Sequence, residues 1–127
     1  MGLGVRIEVD GAREFRAAAT AAGKEAVDDL KRANKAAAEI VKREAVTLVP
    51  VLTGKLQSSI RPAGTKTAGI VRAGFKSVPW AGPVHWGWAE RGIVPRPFLV
   101  DALDARRGEV LDRYQRQVDD LIERHRL

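Results

Sequence analysis

The sequence predicts an α+β fold in which two long amphipathic helices pack on a small, mostly antiparallel β-sheet. Three observations carry that prediction. Apolar residues recur at helical spacing from Lys24 to Leu48 and again from Pro97 onward. Two short runs, Val5 to Val9 and Ala68 to Phe75, read as strands. All six prolines and seven of the twelve glycines lie between residues 50 and 97, which excludes long helices there.

Taken in order, Val5-Arg6-Ile7-Glu8-Val9 alternates apolar and charged side chains, the period of a half-buried strand, and Asp10-Gly11 marks a turn. Residues 12 to 22 are alanine-rich and helix-favouring, anchored by Phe15, with Gly23 either interrupting or bending the helix. Val27, Leu30, Ala33, Ala37, Ile40, Val41, Ala45 and Leu48 then line one face of a long helix whose other face is charged. Pro50 ends it, because proline lacks the N–H and disfavours helical backbone before it. Leu56 to Ile60 fits either a short helix or a strand start. A turn around Gly64-Thr65-Lys66 precedes the second strand, Val78-Pro79-Trp80 reads as extended, and Ala81 to Gly87 fits either a short helix or a loop. Pro97 opens the last helix, where its missing N–H costs little. Leu99, Leu103, Val110, Tyr114, Val118, Leu121 and Ile122 form its stripe, with acids early and bases late, as the helix dipole favours.

A chain of 127 residues fits one domain, with an N-terminal strand (1–11), a helical part (12–49), a β/loop centre (50–97) and a C-terminal helix (98–127). With no cysteine, disulfides and thiolate chemistry are excluded, and two histidines leave little for a metal site. No apolar run reaches membrane-spanning length and the N-terminus lacks a signal-peptide core, so a soluble protein made in the cytosol is expected. The net charge of +6 has an address. Residues 50–97 carry seven bases against Glu90 alone, while both flanks are nearly balanced.

Catalytic patterns are weak. Thr53-Gly54-Lys55 lacks the upstream glycine and following hydroxyl of a phosphate loop. His85, Ser58, Ser59 and Glu90 have no nucleophile-elbow context. No catalytic residue, metal ligand or cofactor is expected. Trp80, Trp86 and Trp88 fall within nine residues, reading either as the core of a small sheet or as interface anchors beside Arg91 and Arg96. Lys55, Arg61, Lys66, Arg72 and Lys76 form a basic set that faces solvent, an acidic protein or DNA. No helix-turn-helix or zinc pattern appears, although a small basic nucleic-acid-binding protein with tryptophan stacking remains an alternative.

Three segments occur in a telling order: a long Ala/charged helix running into Val49-Pro50-Val51-Leu52-Thr53-Gly54-Lys55-Leu56-Gln57-Ser58-Ser59-Ile60, then Val78-Pro79-Trp80-Ala81-Gly82-Pro83-Val84-His85-Trp86-Gly87-Trp88, then Ile93-Val94-Pro95-Arg96-Pro97-Phe98-Leu99-Val100-Asp101-Ala102 leading into a terminal helix. This trio resembles the neck or tail-completion proteins of long-tailed phages, over roughly residues 12–125. There the elements run P-x-x-T-G-x-L-x-x-S-I, Y-A-x-x-V/I-x-x-G and P-F-L-x-x-A; here Trp80 stands where the family usually has tyrosine. The resemblance implies a non-enzymatic virion protein, assembled in the host cytoplasm and joining the DNA-filled head to the tail. It implies a ring of 6 or 12 identical subunits contacting neighbouring connector and tail proteins, with non-specific contact to passing DNA and no membrane. A tail terminator or minor tail protein fits the same pattern. The candidate subunit contacts are Trp80, His85, Trp86, Trp88, Arg91, Arg96 and Phe98.

Overall fold

The computed structural model describes residues 3–9, 11–50 and 54–127. The expected turn residue Asp10 and the motif residues Val51, Leu52 and Thr53 lie outside them. The elements are β1 (Leu3–Ile7), α1 (Ala12–Ala22), α2 (Lys24–Leu48), α3 (Lys55–Ser59), β2 (Arg61–Gly64), β3 (Gly69–Ala73), α4 (Ala81–Trp86) and α5 (Phe98–His125). This is the α+β architecture the periodicities predict. Gly23 separates α1 from α2, its φ of 115° being a conformation that L side chains rarely adopt.

The sheet is antiparallel with strand order β1-β3-β2. β1 begins two residues earlier than the alternation suggests and ends at Ile7, leaving Glu8 and Val9 beyond it. β2 is an element the sequence did not announce; Arg-Pro-Ala-Gly has no alternation, and only pairing with β3 makes it a strand. Val78–Trp80 is not extended: Pro79 and Trp80 form a turn into α4, the Val84 amide donating to the Trp80 carbonyl.

The register sorts side chains by face. Leu3, Val5 and Ile7 pair with Ala73, Val71 and Gly69, all on the side covered by α2. At Gly64 and Gly69 the α2 backbone comes close. A methyl group at Gly64 would meet the Lys31 carbonyl, and one at Gly69 would stand 2.5 Å from the Asn34 carbonyl. The alanine-rich face of α2 (Ala33, Ala37, Ala38, Ala45) allows that approach. Buried Asn34 is satisfied by donating to the Thr65 carbonyl at 2.7 Å, tying α2 to the β2–β3 hairpin.

α5 lies antiparallel to α2, fastened near both ends. Arg106 donates to Glu44 at 2.7 Å, while Arg124 and His125 reach Asp29 at 2.9 and 2.7 Å. The main core gathers Ile40, Val41, Val71, Phe98, Leu99 and Val110, with a smaller cluster of Ala19, Ala26, Leu30 and Leu121 towards the Asp29 end.

Candidate interaction surfaces

The chain between α4 and α5 forms a short, internally fastened arm. It leaves α4 at Gly87, whose φ of 82° and contact with the Pro95 ring leave no room for a side chain. Trp88 and Ile93 exchange both backbone hydrogen bonds, at 2.9 and 3.0 Å, around a 3-10 turn at Ala89–Arg91. The Arg96 amide then donates to the Val84 carbonyl at 3.0 Å, returning the arm to α4. So fixed, the arm leaves Trp86 62% exposed, Trp88 44% and Val94 72%. The Arg91 guanidinium lies 5.2 Å from the Trp88 ring centre. Of the seven residues named for subunit contacts, Trp86, Trp88, Arg91 and Arg96 stand on this surface, and Trp80 is half-buried against the core.

His85 and Phe98 do not belong to that surface. Both are buried, because α4 packs on the first turn of α5 and the His85 ring meets Phe98 edge-on at 5.1 Å and Trp86 at 4.3 Å. Neither ring nitrogen of His85 has a hydrogen-bond partner. Burial pushes its pKa below the ordinary imidazole value, against a smaller opposing pull from Asp101. Reading the tryptophans as a sheet core fails for Trp86 and Trp88, which face water.

The basic residues divide by strand register. The sheet face away from α2 carries Gly4 and Arg6 of β1, Ile70 and Arg72 of β3, and Arg61 and Ala63 of β2, with Arg61 and Arg72 directly opposite. Arg61 is held in place: it donates to the Ser59 and Gly74 carbonyls at 2.9 and 3.0 Å and lies 4.2 Å over the Phe75 ring. Exposed Phe75 and Lys76 follow directly. A shallow basin of about 460 Å³ beside them is lined by Lys55, Ser58, Phe75 and Ser77 among others. Lys66 sits on the hairpin at the opposite end of β3 and does not join this group. Arg6, which the sequence reading did not single out, lies on the same face, paired to Glu8 at 2.8 Å. The signal for it was present, since it alternates with Val5 and Ile7 on a strand.

Ion pairing is distributed unevenly. α2 and α5 neutralise themselves through Asp29 with Arg32, Arg124 and His125, Glu44 with Arg106, and Asp104 with Arg107. Among the described residues no carboxylate pairs with Arg61, Arg72, Lys76, Arg91 or Arg96. Nor does any group of three or more His, Cys, Asp or Glu among them form a metal-holding cluster.

A family model described as "Bacteriophage HK97-gp10, putative tail-component" matches residues 13–92. The chain belongs to that family. The span shared with the HK97-gp10-like proteins runs from α1 to the 3-10 turn of the arm, taking in the first two motifs, while Arg96–Ala102 and the rest of α5 lie beyond it. No curated protein and no solved structure matches the chain. Membership makes this HK97-gp10-like protein a phage tail component and so a constituent of the virion. Among its described residues no helix is long and apolar enough to cross a membrane.

Proposed function

We propose that this HK97-gp10-like protein is a structural, non-enzymatic subunit of the phage head–tail junction, a neck or tail-completion component. Identical copies form a ring of 6 or 12 that helps join the DNA-filled capsid to the tail, assembled in the host cytoplasm beside neighbouring connector and tail proteins. The observation that carries this reading is the arm. A monomer that fastens its backbone at Trp88–Ile93 and Val84–Arg96 yet leaves Trp86, Trp88 and Val94 in water has built a contact for another chain.

The size of the patch sets what it can do. At roughly 150–250 Å² per aromatic side chain, the two indoles leave on the order of 200 Å² uncovered. Burying that area yields about 5 kcal/mol, while association alone costs about 4–15 kcal/mol. One arm does not hold a dimer. Closure of a ring, with each copy both donating and receiving an arm, multiplies the contact without demanding more of it.

The test is the mass of the purified protein, of its Trp86→Ala/Trp88→Ala variant, and of intact virions. The wild type assembles into a closed ring and is found in virions. The variant keeps the monomer's melting temperature, since exposed side chains contribute little to folding, and loses assembly. A wild type that stays monomeric and is absent from virions overturns the reading. In a lysate lacking the gene, full heads beside separate, normal-length tails support a neck or completion role; overlong tails identify a terminator instead.

A further inference from the structure

We propose that the sheet face turned away from α2, continued onto the Phe75 corner, is a sequence-independent binding surface for duplex DNA, engaged through its phosphates. The proposal rests on the head–tail reading for its setting, since genome and ring meet there, and on the residues for the rest.

The placement is fixed by register. Arg61 and Arg72 face each other across β2 and β3 on the solvent side, with Arg6 on the diagonal. Directly opposed like charges destabilise a strand pair. A sheet that keeps them without an intervening acid is poised for an external anion. Glu8 engages Arg6, and no carboxylate among the described residues pairs with Arg61, Arg72 or Lys76. The carbonyls of Ser59 and Gly74 orient Arg61 without neutralising it, so its guanidinium is ordered before any ligand arrives.

The identity of the anion follows from what accompanies the charge. A protein interface is built on a buried apolar centre rich in aromatic residues. Among the described residues Phe75 is the single exposed large apolar side chain on this surface, and one of its faces is covered by Arg61. The exposed tryptophans are at the end of α4 and on the arm instead. What surrounds the cations is hydroxyls, Ser58 and Ser77 in the adjoining basin, and small Gly4 and Ala63 that leave the sheet floor low. Arg, Lys, Ser and backbone N–H groups are the set that contacts phosphate oxygens. A second copy offers no compensating charge from this same region, where residues 50–97 carry seven bases against Glu90 alone.

The experiment titrates the full-length protein into a fluorescently labelled, mixed-sequence duplex and follows anisotropy between about 50 and 200 mM salt. About three phosphate contacts (Arg61, Arg72, Lys76) give a slope of log K against log salt near −3. A duplex of unrelated sequence binds equally. Arg72→Ala/Lys76→Ala reduces the slope by about 2 and weakens binding at low salt by about tenfold or more, while Arg72→Lys keeps the slope. Polyglutamate serves as the acidic-protein probe. Wild-type binding with a slope shallower than about −1, a double variant that binds DNA as the wild type does, or tight binding of polyglutamate with none of DNA would each overturn the proposal. Oligomeric mass is read in parallel. DNA binding by a monomer sinks the ring reading and leaves this one standing; a ring that ignores DNA does the reverse.

Discussion

Gly64→Ala tests how α2 is seated on the sheet. The added methyl group would meet the Lys31 carbonyl oxygen and stand 2.6 Å from the Lys35 amide nitrogen and 2.8 Å from the Lys35 Cβ. Two of these atoms are helix backbone, so no rotamer change relieves the clash. α2 must lift from β2 and loosen the contacts beneath Ala38 and Val41. Overpacking costs about 1–3 kcal/mol, and a rigid neighbour places this site at the upper end, about 3 kcal/mol. Unfolding entropy of roughly 2.1 cal/mol/K per residue puts the fall in melting temperature near 11 °C for a chain of this length. Thermal melts by far-ultraviolet circular dichroism measure it. A fall of less than about 3 °C would mean that helix and sheet are not in the close contact described, and the account of the core would be wrong.

Other substitutions probe separate features. Gly108→Ala, in α5 with nothing within 4 Å of the new methyl group, should stabilise by about 0.5–1 kcal/mol in urea unfolding, and a loss would count against a regular helix there. His125, then Arg124 and Arg32, hold the Asp29 carboxyl below its ordinary value of 3.8 despite opposing burial. The ionised form therefore contributes stability that is present above pH 3.8 and lost as pH falls through the depressed folded value. Asp29→Asn should cost roughly 1 kcal/mol at neutral pH, with the gap to wild type closing below that value; a gap independent of pH refutes the linkage. His85 titrates below its ordinary 6.5, so wild-type stability should decline as pH drops beneath 6.5, where the unfolded chain takes up the proton first. His85→Leu removes two unpartnered nitrogens and should flatten that decline; parallel curves would show that the imidazole is not the group responsible.

What the sequence made legible follows period and punctuation. α2 could be bounded at its C-terminal end, because Pro50 follows an unbroken apolar stripe, while Gly23 left open whether it interrupts or bends the helix, and α5 could be started at Pro97-Phe98. β2 could not, since Arg61–Gly64 becomes a strand only through β3 and its glycine matters for a helix that passes over it. The two readings of the tryptophan cluster could not be separated from sequence. Their exposure depends on Gly87 turning the chain away from α4 and on Phe98 filling the space beneath, both tertiary outcomes. Phe98 was legible as a helix opener but not as the floor under His85. The basic set was legible as a list, and register alone divides it into a group around Phe75 and a separate Lys66.

The seating of His85 against Phe98 also governs timing. A chain emerging from the ribosome completes α4 before α5 exists. Until the first turn of α5 arrives, His85 has no Phe98 to rest on, although Val84 and Arg96, whose bond returns the arm to α4, both precede that turn. The packing beneath His85 is thus completed only when α5 docks. On the ring reading proposed above, a copy whose α5 has not docked presents its tryptophans beside an unsupported α4.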